Sequence, residues 1–329
     1  MKRAGWFLGR AALVIIALAA TLWAALTLHF APLVARPWGD GLAALLSLAT
    51  VLAFLRLRLI RAGLVSLIAP AVVLVAFLQL RPTNDRSWET EYAVLASVRR
   101  EGDVVHVSNI RSFKWTSATT AIPRYHDATF NLNDVRSVDL VMSYWAGDAI
   151  AHVFVSFALA DGRHLAISAE TRRAVGQDYS TLGGFFRNYE LIYVVADESD
   201  LVGVRTNMRG ERVYLYRLHI ASHIPRQLLL SYLQKIDALV QVPEFYNTVD
   251  DNCTSNVISR IETTAGSDGR PPYSWKLLLS GYTDSYAYDL GRLDRNLPFP
   301  DLKRRSLIAP RPDDPAGEDF SQLIRENLP

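Results

Sequence analysis

The single cysteine of the chain lies in a polar segment whose residue types favour an exposed thiol. Cys253 stands within residues 246–258, which read YNTVDDNCTSNVI, and no other cysteine occurs among the 329 residues. Residues 250–252 are Asp, Asp and Asn, which commonly cap the amino end of a helix. We therefore predict Cys253 in the first turn of a helix, where the macrodipole and free N–H groups lower the pKa of a thiol and stabilise an oxyanion. A nucleophile and a buried structural cysteine are both open interpretations.

A thiolate nucleophile needs an imidazole that accepts and returns a proton, and one of the seven histidines stands in an unusual place. His152 lies in the apolar run AHVFVSF, which predicts a buried strand over residues 151–157. Burial of an imidazole there requires either a hydrogen-bonded structural role or a catalytic role, and the run alone leaves both open. Most other histidines stand where surface or capping roles are the ordinary ones, so His152 is the candidate base.

The turn after this strand predicts which residue faces His152. Residues 160–162, Ala-Asp-Gly, suit a three-residue hairpin turn with glycine in the left-handed conformation. That turn pairs Leu159 with Arg163, and the same register places His152 directly opposite Glu170 on one face of the sheet. A carboxylate there would fix the tautomer of the ring and stabilise its protonated form, as in a Cys-His-Asp/Glu arrangement. A two-residue turn would instead move Glu170 to the other face.

Two alternatives to this pairing remain open. His164 shares the face of His152 in the predicted register and is the alternative orienting residue. Glu170 would otherwise form an ordinary salt bridge with Arg172 or Arg173.

No motif for a metal or a cofactor is present, and we expect neither. The chain has no CxxC, no HExxH and no acidic calcium-binding loop. Asp197, Glu198 and Asp200 form an acidic cluster, which a solvated loop explains as well as a cation site does. Arg205 and Arg209 would either meet an anionic headgroup or support their own loop.

Short strands and two helices must position these residues. Strand-like runs cover residues 104–108, 138–144, 149–159, 163–170, 191–195 and 213–218. Residues 116–136 are expected to be mostly loop. The apolar spacing over residues 225–242, with a proline in the first turn, predicts a helix ahead of the one that begins near Cys253. Residues 296–329 are rich in proline and charge in their first part and are expected to form a surface tail.

Composition excludes several classes of protein. The hydrophobic fraction is 50%, the charged fraction 21%, the formal net charge +2, and the mean hydropathy of +0.10 is high for a soluble protein. Residues 1–81 hold eight basic residues and one acidic residue, so residues 82–329 form a mildly acidic domain. These values exclude a disordered chain and a basic nucleic-acid binder, and a single cysteine excludes an intrachain disulfide.

The apolar excess lies in three runs near the N-terminus, which predict a membrane anchor over residues 1–81. Residues 11–28 and 62–80 are long enough to cross a hydrocarbon core of about 30 Å, and residues 41–55 also cross if Trp38 lies in the interface. Basic residues precede the first run and separate the second from the third, namely Lys2, Arg3, Arg10, Arg56, Arg58 and Arg61. The positive-inside rule then places residues 82–329 on the outer side of the cytoplasmic membrane. If the second run does not cross, these residues lie in the cytoplasm instead.

Several stretches of the chain resemble, in order, the Lnb-type periplasmic domain family. They read VSNIRSF at 107–113, AHVFVSFALADGRHLAISAETRR at 151–173, NYELIYVVADESDLVGVRTN at 188–207 and EFYNTVDDNCTSNV at 244–257. The resemblance implies a papain-like fold in circularly permuted order, with lecithin:retinol acyltransferase and NlpC-type enzymes as wider relatives. The expected fold class is therefore α+β. Three transmembrane helices precede a permuted papain-like domain, with an antiparallel sheet and helices, over residues 82–295.

The resemblance also assigns residues. The family's cysteine falls on Cys253, its histidine on His152, and its S-x-E-x-R pattern on Ser168, Glu170 and Arg172. Members usually read Asn-Asn-Cys, whereas this chain has Asp251 in the first place and keeps Asn252, the expected support for an oxyanion. Where members have Glu-Arg-Asp, residues 198–200 read Glu-Ser-Asp and lack the arginine.

The reaction implied by the resemblance is acyl transfer. The name-giving member is a lipoprotein intramolecular transacylase, which moves an acyl chain from the diacylglyceryl group to the α-amine of the lipoprotein's N-terminal cysteine. Here Cys253 would hold the chain as a thioester, while His152 protonates the leaving alkoxide and then deprotonates the amine. We expect a lipid or lipoprotein substrate at the membrane surface and no nucleic acid. An envelope cysteine hydrolase (a peptidase, amidase or lipid esterase) and a non-enzymatic envelope scaffold remain alternatives.

Overall fold

The structure, a computed structural model, describes residues 2–248, 253–264, 272, 274–277, 279–310, 320–326 and 328–329. The chain divides into two compact units. The first consists of Met1–Thr83, Gln177–Glu190 and Phe245–Thr248, and the second consists of Asn84–Gly176, Leu191–Glu244 and Val249–Pro329.

Three long apolar helices form most of the first unit. They are α1 (Lys2–Phe30), α2 (Arg36–Arg56) and α3 (Leu59–Gln79). Each contains a stretch long and apolar enough to cross a membrane, so the three predicted runs are confirmed as candidate membrane helices. Small and hydroxyl residues let α1 and α2 approach closely. A Cβ added to Gly39 would lie 2.2 Å from the Leu28 carbonyl oxygen, and the Thr21 and Thr50 hydroxyls lie 3.2 Å apart.

One large sheet forms the centre of the second unit. Its strand order is β1-β2-β9-β8-β7-β6-β10, and β5 also pairs with β2. The pairs β1–β2, β2–β5, β6–β7, β7–β8 and β6–β10 are antiparallel, and β2–β9 is parallel. The strands are β1 (Ser97–Glu101), β2 (Val104–Arg111), β5 (Tyr125–Asn131), β6 (Val135–Ala146), β7 (Ile150–Leu159), β8 (His164–Arg172), β9 (Glu190–Ala196) and β10 (Arg212–Arg217). A separate small pair joins β3 (Lys114–Trp115) to β4 (Ala121–Ile122).

Helices cover both faces of this sheet, so its central strands are buried on both sides. The helices are α4 (Glu198–Leu201), α5 (Ile224–Gln241), α6 (Cys253–Thr264), α7 (Thr283–Asp289), α8 (Phe299–Arg305) and α9 (Phe320–Leu323). On one face, the ring of Tyr232 in α5 packs on Phe157 of β7. On the other face, Phe154 joins a core with Leu201 of α4 and Phe320 of α9. The predicted α+β class, with three N-terminal helices before a sheet domain, is confirmed at this level.

Two segments differ from the sequence-based expectation. Residues 116–136 contain the seven-residue strand β5, whose mostly polar side chains hide the period-two pattern of a strand. The segment 296–329, expected to form a surface tail, contains α8 and α9, with buried Leu302, Ile308, Phe320 and Ile324. α8 has seven residues and four residues of α9 are described, and runs of this length are too short for a helical period to be visible in the sequence.

The turn between β7 and β8 has the predicted geometry, and this geometry makes Gly162 necessary. Its φ is +88°, and the Leu159 N–H donates to the Arg163 carbonyl at 2.9 Å. An added Cβ would meet nothing within 4 Å, so only backbone strain opposes a side chain. We expect Gly162→Ala to lower the free energy of unfolding by about 1 kcal/mol in denaturant titrations of the detergent-solubilised protein. Gly203→Ala, without positive φ, is the matched control, and equal losses in the two variants would contradict this explanation.

Candidate functional site

The hairpin of β7 and β8 brings three predicted residues together. Nε2 of His152 lies 2.6 Å from Oγ of Ser168 and 3.0 Å from Oε1 of Glu170. The Ser168 hydroxyl donates to that same carboxylate oxygen at 2.8 Å. Phe157 pairs with Leu165, and this register, continued along the strands, sets His152 opposite Glu170. The contact that the turn geometry predicts is therefore present, while the catalytic role of these residues stays a prediction.

The hydrogen bonds determine which nitrogen of His152 carries a proton. The only hydroxyl hydrogen of Ser168 is donated to Glu170, so Ser168 must accept from Nε2. A bare Nε2 would also set its lone pair against a carboxylate oxygen 3.0 Å away. Nε2 therefore carries hydrogen. In the neutral ring, Nδ1 is then the nitrogen that can accept a proton.

A buried arginine completes this cluster. Nη2 of Arg205 lies 3.1 Å from the same oxygen of Glu170, and its Nη1 donates to the Leu201 carbonyl at 2.6 Å. Burial raises the pKa of Glu170, but the charges of His152 and Arg205 and the hydrogen bonds from His152 and Ser168 outweigh it and hold that pKa well below its usual range. Glu170 is therefore an anion that anchors the ring. Sequence reasoning missed this role of Arg205, because 35 positions separate it from Glu170.

Neighbouring arginines support the surrounding loops, and they are not the partners of Glu170. Arg173 forms an ion pair with Glu89 at 2.9 Å, and Arg209 donates to the Ala118 carbonyl at 3.0 Å. Arg172 is 2% exposed and donates to the carbonyls of Tyr92 and Ala93 and to the side-chain oxygen of Asn84. Of the two functions considered for Arg205 and Arg209, support of the loop is therefore the observed one.

Cys253 is the first described residue of α6, so it lies in a helix, as the sequence predicts, and the residues just before it lie outside the described residues. Its side chain, and all of Asn252, lie outside the described residues. The helix packs on β7 and β8, which are the strands that carry His152 and Glu170. The structure therefore brings the cysteine-bearing helix to the histidine-bearing hairpin, and it leaves the position of the thiol to experiment.

The helix packs on the opposite face of the sheet from the imidazole. Arg260 of α6 stacks on Tyr193 and Tyr232, which lie on the α5 side. His152 instead shares the face of Phe154, over which Arg205 stacks. The described residues therefore do not show the thiol of Cys253 in contact with the imidazole of His152.

The distance to the end of the sheet decides whether the two groups can meet. His152 lies two residues from the first residue of β7, and Glu170 lies two residues from the last residue of β8. At about 3.3 Å per residue, the cluster is roughly 7 Å from this end of the hairpin. A thiol that projects beyond the end can reach Nδ1, whereas a thiol over the middle of the opposite face cannot.

His164 lies at the other end of the hairpin. It pairs with Ala158, and its Nδ1 lies 3.0 Å from the Gly162 carbonyl oxygen. Burial lowers the pKa of His164, although the charge of Glu198 acts in the opposite direction. Six positions along β8 separate His164 from Glu170, which is about 20 Å. Glu170, and not His164, is therefore the residue beside His152.

Of the two interpretations left open for the acidic cluster, a solvated loop does not describe two of its three members. Asp200 is buried and accepts from Nε of Arg111 at 2.8 Å and from its Nη2 at 3.0 Å. Glu198 is also buried and pairs with Arg325 at 2.6 Å. Asp197 alone is partly exposed. The cationic partners of Glu198 and Asp200 are distant in sequence, and the sequence pattern therefore gave no sign of them.

One protein family matches this chain. Residues 121–281 fit the sequence model of the Lnb N-terminal periplasmic domain. The match spans His152, Ser168, Glu170 and Cys253, so the resemblance drawn from those residues is confirmed. No curated protein and no solved structure matches the chain. Together with the three candidate membrane helices, this match fits a membrane protein with a periplasmic domain.

The low pKa of Glu170 predicts how the stability of the Lnb domain depends on pH. Because the native pKa lies below the ordinary value, ionised Glu170 stabilises the fold above about pH 4.3, and this contribution is lost as the pH falls further. We expect Glu170→Gln to reduce the free energy of unfolding by about 2 kcal/mol at neutral pH, with the difference from wild type shrinking below about pH 4. Unfolding titrations across this pH range measure both.

The exposed Glu101 supplies the control for this prediction. Its side chain is 65% exposed beside Arg99, so Glu101→Gln should leave the stability nearly unchanged at every pH. A stability loss in Glu170→Gln that is the same at neutral and acidic pH would show that charge is not its cause.

Proposed function

We propose that the protein is a membrane-anchored, thiol-dependent acyltransferase of the cell envelope. In this proposal Cys253 takes an acyl chain from a lipid or lipoprotein ester, and His152, oriented by Glu170, moves the protons. The observation that carries the proposal is the geometry of the His152–Glu170 pair. Its carboxylate anchors Nε2–H and leaves Nδ1 as the proton acceptor, as a thiol–imidazole pair requires.

The order of elements supports a permuted papain-like fold for this site. The hairpin that carries His152 comes before the helix that begins at Cys253, and this helix packs on the hairpin. The first N–H groups of a helix have no intrahelical acceptor, so the start of α6 can stabilise an oxyanion. Asn252 is the proposed side-chain support for the same oxyanion.

The proposed chemistry balances in two steps. The Cys253 thiolate attacks the ester carbonyl, and the imidazolium of His152 gives its proton to the alkoxide that leaves. An amine then attacks the thioester, the neutral imidazole takes the amine proton, and the thiolate leaves. The products are an amide and a lyso-ester, and the enzyme returns to its first state. If water replaces the amine, the same site is a cysteine hydrolase.

The structure of the first unit supports the proposed orientation in the cytoplasmic membrane. The segment 177–190 lies within the matched periplasmic domain and contacts Phe30, the last residue of α1, and Phe77, in the last turn of α3. A periplasmic location of this segment therefore assigns these helix ends to the periplasmic face. The N-terminus of α1 and the basic loop before α3 then belong to the cytoplasm, as the positive-inside rule predicts for three spans.

A second candidate function is a non-enzymatic envelope scaffold. The packing of α6 on the sheet face opposite His152 favours it, because a thiol over the middle of that face cannot reach the imidazole. In that case His152, Ser168, Glu170 and Arg205 would be a buried structural network. The two candidates differ in whether Cys253 and His152 react as a unit.

Mass spectrometry of lipoprotein N-terminal lipopeptides tests the proposed function. Cells that cannot otherwise N-acylate lipoproteins would express either the wild type or Cys253→Ser. We expect N-acylated lyso-form lipopeptides with the wild type only. Unchanged diacyl lipopeptides with both, at equal expression, would exclude lipoproteins as the substrate. Phospholipid and peptide products from the same membranes then distinguish transfer to another acceptor, hydrolysis and a scaffold.

A further inference from the structure

A segment of the periplasmic domain forms part of the helical membrane unit. Residues 177–190 follow β8 in the chain and belong, with residues 245–248, to the unit built on α1, α2 and α3. The ring of Phe186 stacks on Phe30 at the end of α1, with centroids 5.6 Å apart. A Cβ on Gly184 would lie 2.1 Å from the Thr248 hydroxyl, so this segment is packed tightly against residues 245–248. It has a defined shape at the ends of the membrane helices.

The outward side of this segment is apolar. Tyr179, Leu182 and Phe185 are 47%, 54% and 49% exposed, although buried Phe186 lies beside them in the chain. Trp38, 74% exposed, begins the neighbouring helix α2. Exposed leucine and aromatic side chains at the end of a membrane helix bundle lie at the level where the headgroups meet the acyl chains. At that level a bilayer would supply an apolar environment for them.

Arg187 adds a cation to this surface. Its Nη1 donates to the Phe77 carbonyl at 3.1 Å, and its guanidinium lies over the rings of Phe77 and Phe245. Among the described residues no carboxylate pairs with it. Its φ is +54°, a conformation that is unfavourable for a residue with a side chain and is often retained at functional sites. A half-buried guanidinium without a carboxylate partner matches the phosphate of a lipid. The exposed apolar side chains beside it match the acyl chains of the same lipid.

We propose that the segment 177–190 inserts into the periplasmic leaflet and binds a glycerophospholipid there. Leu182 and Phe185 contact its acyl chains, and Arg187 binds its phosphate. The bound phospholipid is a membrane contact rather than the acyl donor, so this proposal stands apart from the proposed function. Insertion and binding do not require Cys253, so their failure is distinguishable from failure of the catalytic proposal.

Nitroxide accessibility tests the insertion. In the full chain with Cys253→Ser, single cysteines at Leu182 and at Phe185 would carry a spin label in nanodiscs of phosphatidylcholine and phosphatidylglycerol. We expect higher accessibility to oxygen than to a water-soluble nickel chelate, as at Leu45 on the exposed face of α2. Asp85, an exposed residue that follows α3, supplies the aqueous reference. Labels at both test positions that behave like the aqueous reference would overturn the proposal.

Native mass spectrometry tests the phosphate contact. Protein released from the same nanodiscs should retain phospholipid, and Arg187→Gln should lower the retained fraction by about tenfold, because a charge-assisted hydrogen bond is lost. Arg187→Lys should restore part of it. Arg99→Gln is the control, since Arg99 is 73% exposed on β1 and lies outside this segment. Equal retention of phospholipid in all variants would overturn the lipid assignment. Displacement of the retained phospholipid by inorganic phosphate at millimolar concentration would also overturn it.

Discussion

Replacing His152 by glutamine is expected to lower the rate of acyl transfer by at least about a thousandfold, and replacing Cys253 by serine should reduce it to background. Glutamine keeps a donor toward Ser168 and Glu170 but provides no group that accepts and returns a proton. The rate loss should lie in turnover, with substrate binding little changed, because the imidazole acts on protons in the reacting groups. Transfer rates of purified variants in lipid nanodiscs measure this effect.

The same substitution should be visible without any substrate. An imidazolium near a thiol keeps part of it as thiolate at pH 6, where an ordinary cysteine with a pKa of about 8.5 is less than about 1% ionised. Loss of the imidazole lowers the thiolate fraction by roughly 100-fold, and the higher intrinsic reactivity of a more basic thiolate recovers roughly tenfold. We therefore expect iodoacetamide to alkylate Cys253 about ten times more slowly at pH 6 in His152→Gln.

A second histidine supplies the matched control. His164 is also partly buried on β8 but lies at the turn end of the hairpin, so His164→Gln should leave alkylation of Cys253 unchanged. An alkylation rate in His152→Gln equal to that of the wild type across pH 5 to 9 would instead mean that the sheet separates thiol from imidazole. The scaffold would then be the better explanation.

Replacing Asp200 by asparagine is expected to destabilise the periplasmic unit by about 3–5 kcal/mol. The carboxylate is fully buried and accepts hydrogen bonds from Arg111, from the Phe113 amide and from the Trp115 indole. Asparagine keeps the shape but removes the charge, which leaves the guanidinium of Arg111 buried without a counterion. The side-chain NH₂ group of asparagine would also face one of these N–H donors, and two donors cannot form a hydrogen bond with each other. Urea unfolding of the detergent-solubilised chain measures the loss.

Asp197 is the control for this substitution, because it lies three positions away in the same acidic cluster and is partly exposed. Its carboxylate lies 3.1 Å from Nε2 of His126, and both side chains contact solvent. We expect Asp197→Asn to cost less than about 1 kcal/mol. If the two variants were equally stable, the buried ion pair with Arg111 would not be a major source of stability.

The hairpin could be predicted from sequence because its information is local. The Ala-Asp-Gly turn of residues 160–162 determines the register, and the register alone sets His152 opposite Glu170. The helix at Cys253 also follows from nearby residues, since the sequence before it, Asp-Asp-Asn, consists of residue types that favour the amino end of a helix. The same holds for the membrane helices, where an uncharged apolar run is sufficient evidence.

The partners of the buried charged residues, and the sheet face that each helix covers, depend on contacts between residues far apart in the chain. No local pattern indicates that Arg205 pairs with Glu170, or that Glu198 and Asp200 lie buried against Arg325 and Arg111. A short run of acidic residues is as compatible with a solvated loop as with a cation site, so the sequence did not indicate their burial against arginines. Likewise, strand alternation predicts which side chains share a face, but it does not say which face a later helix will cover.

The most direct test of the proposed mechanism is a search for the acyl-enzyme. The wild type, in nanodiscs that contain a diacylated lipopeptide with a blocked α-amine, would be digested and its peptides weighed by mass spectrometry. The account predicts an added acyl mass on the peptide that contains Cys253, removable by neutral hydroxylamine and absent in Cys253→Ala and His152→Gln. An unmodified Cys253 in protein that transfers acyl chains, or the same adduct in Cys253→Ala, would contradict it.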